Sequence, residues 1–538
     1  MHNVSRQSKL LTFFNSEDFQ REKGWLAVLA VVLVGCIASF LLEAHSGFSL
    51  WDEGYLWYGV QRTLLGEVPL RDFMSYDPGR YYWAAALLDL FHARGIVAVR
   101  AATAVFAAFG VAAASALVWW SPSDNNKTRF WLCVVTIVLC LLWMVPWWKQ
   151  YDEAVSIALV ASLARVLTSP TPRRFLVHGT LVGLAAVLGR NHGLYGAFSC
   201  LFALLLLMRV INRHDWIRCA SSFIAGMILG FSPILIGLCI NRDFASMFWG
   251  SIRYMLFEYK GTNLPLPVSW PWKVPMIGEV TVWSRSFAIG CVYVTLPLFC
   301  FGGLTLIVGG VLRARKIAYP AFAACVLTAV PYMNVAFSRA DPPHLAQAIF
   351  PFLLGSIVWL SHLQGRQRMR TICLGLLVLI SFWMVLPMHD RYARYTQGTW
   401  RKVAVGQDAL WMSDDVASSA EDIKQLADLY LSKGGTMLSV PVWPGAYALA
   451  GVRSPIYEIY PLFPRNDLFQ EQEIARMQRA QPKLVLFNDV AVDGRNDLRY
   501  GVTHPLLMNY INRHYHAIPS DGRMPQLKVY VLNGLASK

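Results

Sequence analysis

Charge is what this chain has little of. Only 15% of its 538 residues are Asp, Glu, Lys or Arg, 55% are hydrophobic and mean hydropathy is +0.40, which excludes an ordinary soluble domain and leaves a multi-pass membrane protein. Acid is the scarcer sign, 33 residues against 48 basic ones. In a soluble protein such an excess points to nucleic acid. Here the basic residues gather in short connections between apolar runs, where they set orientation, so nucleic acid is not an inferred partner. The ten cysteines all lie between Cys36 and Cys373, in or at the ends of apolar segments. Without Cys-x-x-Cys or Cys/His metal spacing they read as small buried hydrophobes. The stretch after residue 389 lacks Gly-x-Gly-x-x-Gly, phosphate-loop and serine-elbow patterns, so nothing there proposes a nucleotide site.

What is present is a ladder of apolar segments. The first, residues 25–42, is long enough to span, and with no small-residue cleavage site it reads as a retained helix rather than a signal peptide. The polar residues 1–24 carry Arg6, Lys9, Arg21 and Lys23, which places the amino terminus in the cytoplasm. Basic residues then recur at every second connection: Lys127 and Arg129; Arg173 and Arg174; Arg209, Arg213 and Arg218; Arg313, Arg315 and Lys316; Arg366, Arg368 and Arg370. Between them lie apolar runs at 100–119, 130–148, 153–167, 175–189, 193–208, 219–240, 287–311, 317–335, 345–363 and 371–388. The expectation is a polytopic α-helical membrane protein of about eleven transmembrane helices, seated in the cell inner (plasma) membrane with its carboxyl terminus outside.

Residues 81–93 are apolar but short and carry Asp89 and His92. Counting them as a span inverts every later loop against the charge rule, so they are expected to form an interfacial helix in the first outer loop, about 43–99, with a second at 55–65. The outer connection from Asn241 to Ser286 turns rich in proline and tryptophan between Leu264 and Pro275 and reads as a lid or wall of an external cavity. The division expected is thus a cytoplasmic stretch 1–24, a membrane module 25–388, and 389–538 as a small extracytoplasmic α/β domain. In the last, helix-like stretches precede β-rich runs at Thr436–Val440, Lys483–Phe487 and Leu527–Leu532.

The chemistry concentrates at loop ends. Asp52 and Glu53 follow the first span, and Asp152 and Glu153 follow Trp147, Trp148, Lys149 and Gln150. Carboxylates at helix ends are often solvated caps, a reading that suits Asp152 and Glu153 better than the aromatic-flanked Asp52 and Glu53. Transfer of a group to a hydroxyl needs a base for the proton and positive charge for a departing phosphate. Candidate cations are Arg80, Lys149, Arg190, Arg253, Lys260 and Arg339, with His344; each alone also fits a headgroup contact, and their convergence is the stronger argument. His192 and His344 lie in no HExxH-like spacing, so catalytic zinc is not expected; no cofactor is assigned, and a divalent cation held by the acidic pairs stays open. Trp147, Trp148, Trp270 and Trp272 read as interface anchors.

Asp52-Glu53-Gly54, then Gly66-Glu67-Val68-Pro69 with Asp72-Phe73, then Pro78-Gly79-Arg80-Tyr81-Tyr82, resemble the "DEG…GE.P..DF…PG.YY" stretch of bacterial membrane glycosyltransferases. These form the protein-mannosyltransferase and lipid A aminoarabinose-transferase superfamily, of GT-C fold. The resemblance implies a polyprenyl-phosphate sugar donor, a lipid, glycan or protein acceptor, Asp52 as catalytic base with Glu53 beside it, and Asp152 as the second acidic position. The aminoarabinose transferases carry a phosphate-contacting lysine before a Pro-Pro pair. This chain reads Tyr76-Asp77-Pro78-Gly79-Arg80 there, so Arg80 takes the lysine's place. The rival functions are a transporter or flippase of polyprenyl-linked sugar and a non-catalytic subunit of an envelope polysaccharide assembly system.

Overall fold

The computed structural model describes residues 17–431, 434–518 and 527–534; Arg6 and Lys9 lie outside the described residues. Each apolar run expected to cross the membrane coincides with a helix. Eight of the described helices are long and apolar enough to do so: Arg21–Glu43, Ile96–Trp119, Asn126–Trp143, Arg213–Ile240, Val280–Ala314, Pro320–Ser338, Pro342–Ser361 and Gln367–Met388. The remaining runs form Gln150–Thr168, Pro172–Leu188 and Arg190–Leu207, of 19, 17 and 18 residues. The first opens on Gln150, Asp152 and Glu153, and that polar turn dilutes its hydropathy.

Local chemistry starts the helices. Asn125 accepts from the Thr128 N–H, Thr171 from Arg174, Asn241 from Phe244 and Asp341 from His344, each satisfying a donor that the first turn leaves orphaned. Pro172, Pro320 and Pro342 enter at first-turn positions, where a missing N–H costs nothing.

The chain divides into two compact units. Among the described residues, one comprises those within 17–41, 104–232 and 265–389, the other those within 42–103, 233–264 and 390–534. The first loop therefore groups with the C-terminal part of the chain.

The first unit is a helical bundle whose apolar core runs from Val28 to Val385. Two of its helices meet backbone to backbone through paired Gly-xxx-Gly motifs. A Cβ added at Gly179 lies 2.2 Å from the Phe223 carbonyl oxygen, at Gly183 2.4 Å from that of Met227, at Gly226 2.3 Å from that of Leu176 and at Gly230 2.0 Å from that of Thr180. Small residues at this spacing let membrane helices gain van der Waals contact where no hydrophobic drive exists.

In the second unit, the expected interfacial segments are helices Asp52–Leu64 and Gly79–Leu90, whose 13 and 12 residues are too few to span. After them come a hairpin, β1 (Trp400–Val405) with β2 (Asp408–Ser413), and a four-stranded sheet of β3 (Met437–Val440), β4 (Leu484–Asn488), β5 (Tyr515–Ile518) and β6 (Leu527–Leu532). The sheet order is β3-β4-β6-β5, with β3 and β4 parallel and the other pairs antiparallel. The first loop is woven into this assembly. Trp411 of β2 donates to the His45 carbonyl and accepts from the Gly47 N–H, and the Tyr457 hydroxyl donates to the Leu70 carbonyl. Gly54 packs so closely that an added Cβ lies 2.4 Å from Gly445 Cα, which accounts for glycine after Asp52-Glu53.

Candidate active site

The helix Asp52–Leu64 begins with its two acids, where the positive end of the helix dipole favours negative charge. They have different surroundings. Glu53 is buried and grips Arg100: Nε to Oε1 is 2.6 Å and Nη2 to Oε2 is 2.9 Å. Arg100, also buried, spends its other donors on the carbonyls of Ala44 (2.8 Å), Ser46 (3.0 Å) and Gly47 (2.8 Å). Glu53 Oε2 additionally accepts the Ser49 N–H. One guanidinium thus knots the turn before the helix to its first residues, with both charges bidentate and hydrogen-bonded as burial demands. Asp52 is half-buried, and the Tyr76 hydroxyl donates to its Oδ1 over 3.4 Å. The buried Arg80 lies over the Tyr76 ring, its Cζ 4.6 Å from the centroid. Asp52, Tyr76 and Arg80 therefore form one chain of contacts in the second unit. Arg253 and Lys260 of this unit are exposed.

The first unit holds the other candidates. Asp152 and His192 are buried, with Asp152 Oδ1 2.9 Å from His192 Nε2 and His192 Nδ1 2.6 Å from the Tyr332 hydroxyl. Three helices contribute one residue each. Asn334 donates to Tyr195, whose ring packs 4.9 Å from that of Tyr332. Glu153 faces inward, fully buried, and neither carboxylate oxygen has a hydrogen-bond partner among the described residues. Lys149 closes the single turn Trp147–Lys149 just before this helix, and Arg190 opens the helix that carries His192.

Asp341 organises the last group. Its side chain accepts from Arg339 Nε at 2.7 Å, and its Oδ1 contacts His344 Nδ1 at 2.6 Å and the His344 backbone N–H at 2.9 Å. Burial works to raise the Asp341 pKa, but the hydrogen bond and charge of His344, with Arg339, outweigh it and hold the carboxyl below its ordinary value. Among the described residues no three His, Cys, Asp or Glu side chains are placed to hold a metal ion.

Sequence reasoning missed five residues. Arg100 sat at the mouth of an expected span, Tyr332 lies 140 residues from His192, and Glu458, Arg465 and His504 were not singled out. Those three form a set in the second unit, Glu458 and His504 buried and Arg465 half-buried, with Arg465 Nε 2.6 Å and His504 Nε2 3.0 Å from the Glu458 carboxylate. Burial pushes Glu458 upward, yet Arg465 and His504 pull it below its ordinary pKa. Arg465 also covers the Tyr254 ring at 3.7 Å.

No family model matches the chain, and no curated protein matches it. Solved structures do. ArnT from Cupriavidus metallidurans bound to undecaprenyl phosphate superposes with a TM-score of 0.57 at 13% identity, over 96% of this chain and 99% of that one. Its apo state gives 0.54 at 12% identity, over 95% and 98%. A looser likeness, TM-score 0.48 at 11% identity over 94% of this chain and 73% of the other, is to the Archaeoglobus fulgidus oligosaccharyltransferase tethered with an acceptor peptide. At such identities the likeness is one of fold: this chain is a multi-pass membrane protein with the GT-C architecture.

Proposed function

We propose that this protein is an integral-membrane glycosyltransferase that moves a sugar from a polyprenyl-phosphate donor to a lipid, glycan or protein acceptor on the extracytoplasmic face. The observation that carries the reading is the contrast at the start of the helix Asp52–Leu64, where Glu53 is clamped by Arg100 while Asp52 is half-buried, reached by Tyr76 and followed by Arg80. A half-buried carboxylate linked through a tyrosine to a guanidinium suits proton removal in a site that also stabilises a leaving phosphate. The GT-C architecture, shared with a structure holding undecaprenyl phosphate, supports the choice of donor.

In this mechanism Asp52 takes the proton of the acceptor hydroxyl. The freed oxygen forms a bond to the anomeric carbon from the face opposite the phosphate, the carbon–oxygen bond to the phosphate breaks, and the polyprenyl phosphate leaves with the electron pair, inverting that carbon. Arg80 neutralises the departing phosphate, a task for which Lys149, Arg190, Arg339 and His344 are further candidates. Asp152, held by His192, orients the acceptor. Glu53 fixes the register of Asp52. The alternation of basic connections supports an amino terminus in the cytoplasm, a C-terminal domain outside and an inner-membrane location.

The test is to incubate the purified protein in lipid with a polyprenyl-phosphate sugar and follow release of the polyprenyl phosphate. Consumption of donor in the presence of acceptor is expected. A flippase or an assembly subunit leaves the donor intact.

A further inference from the structure

At the Arg313 end of the helix Val280–Ala314 lies a cavity of about 460 Å³, lined along the helix by Gly302, Thr305, Gly309, Gly310 and Arg313 and closed by Tyr319 from the segment that follows. Its volume falls within the roughly 300–1,000 Å³ of small-molecule sites. The glycines are not there to bring helices together. An added Cβ meets nothing within 4 Å at Gly302, Gly309 or Gly310, whereas at Gly303, one residue round the same helix, it meets the Val326 side chain at 2.4 Å. Gly303 is a packing glycine, and the other three carve a trough. Leu298, Phe301, Leu306 and Leu312 stand exposed on this helix, as residues facing acyl chains do.

The mouth of the trough is cationic. Arg313, Arg315 and Lys316 fall within four positions, all exposed, and none forms an ion pair among the described residues. Tyr319 packs edge-on against Trp359 and His362, with centroids 5.5 and 5.0 Å apart, an aromatic cluster of the sort found at headgroup depth. A second copy of the chain is a poor occupant. A two-fold interface through this trough sets the same three cations against themselves.

We propose that the trough is a binding site for an anionic phospholipid, one acyl chain lying over Gly302, Gly309 and Gly310 and the headgroup phosphate on Arg313, Arg315 and Lys316. The inference is independent of the reaction proposed above, since none of these residues takes part in it. It makes the leaflet's anionic lipid a resident component of the bundle.

Native mass spectrometry of the full-length protein, exchanged from vesicles of dioleoyl phosphatidylglycerol or of dioleoyl phosphatidylcholine, tests this. The wild type is expected to retain phosphatidylglycerol about tenfold better than phosphatidylcholine, as several basic groups near one phosphate provide. Arg313→Gln should lower phosphatidylglycerol retention about fivefold and leave phosphatidylcholine unchanged. Gly309→Leu fills open space without a clash and should abolish retention of both. Equal retention of the two lipids by the wild type overturns the proposal, as does retention unaffected by either variant. A shift of the monomer–dimer ratio in Gly309→Leu with lipid retention intact also overturns it and assigns the trough to a second copy.

Discussion

Adjacent acids stand in the first turn of a helix at Asp52-Glu53 and again at Asp152-Glu153, and these two pairs have opposite fates. In the first pair the leading acid, Asp52, stays half-open and the second, Glu53, is locked by Arg100. In the second pair the leading acid, Asp152, is held by His192, and Glu153 points inward with no hydrogen-bond partner among the described residues. The motif is the same; the third residue differs. An acid's chemistry is set by what reaches it from elsewhere in the fold: an arginine that takes both oxygens makes a strut, and a tyrosine that touches one leaves the other for a substrate.

Cutting the strut is the strongest way to break this comparison. Arg100→Met leaves Glu53 buried and uncompensated and deprives three carbonyls of their donor. It should cost about 3–5 kcal/mol, seen as a large fall in the melting temperature of the purified protein. An unchanged melting temperature removes Arg100 from the account. The corresponding cut in the second pair, His192→Phe, removes one hydrogen-bond partner each from Asp152 and the Tyr332 hydroxyl and should cost about 1–3 kcal/mol. A penalty as large as that of Arg100→Met would erase the distinction drawn between the two pairs.

Much of this was readable in advance. The apolar runs gave the helices, because length and hydropathy are local properties. The β-rich runs expected at Thr436–Val440, Lys483–Phe487 and Leu527–Leu532 match β3, β4 and β6 to within one residue at each end. The hairpin β1–β2 was not expected, although Val403 and Val405 alternate with polar or small neighbours just before a glycine at φ 60°. Asp52 stood out because carboxylates are rare beside aromatic residues at the end of a span. Arg100 did not, because an arginine at the start of an apolar run reads as an interface residue, and nothing local announces a partner 47 positions earlier. The pairing of His192 with Tyr332 is equally invisible to periodicity, since it exists only once three helices are packed.

The effect of pH extends the comparison to the second unit's buried charges. Glu458 has a folded pKa below its unfolded one, so its pairing with Arg465 and His504 contributes stability that is fully present above the ordinary carboxylate pKa. That contribution is lost as pH falls through the depressed folded value. Glu473 runs the other way: burial raises its pKa, so it favours the folded state at low pH and that contribution disappears as pH rises through the raised value. Melting temperatures from pH 7 to pH 3 should therefore fall less steeply in Glu458→Gln than in the wild type. Parallel curves contradict the assignment. The effect is the smallest of the set because it rests on one carboxyl, Glu473 being common to both proteins.

The most direct test of the central claim is donor turnover by Asp52→Asn, measured beside Glu53→Gln in the same lipid with melting temperatures recorded for both. The account predicts that Asp52→Asn keeps the wild-type melting temperature while turnover drops by about 10²–10⁴-fold, and that Glu53→Gln loses melting temperature first and activity with it. Normal turnover by Asp52→Asn contradicts the account.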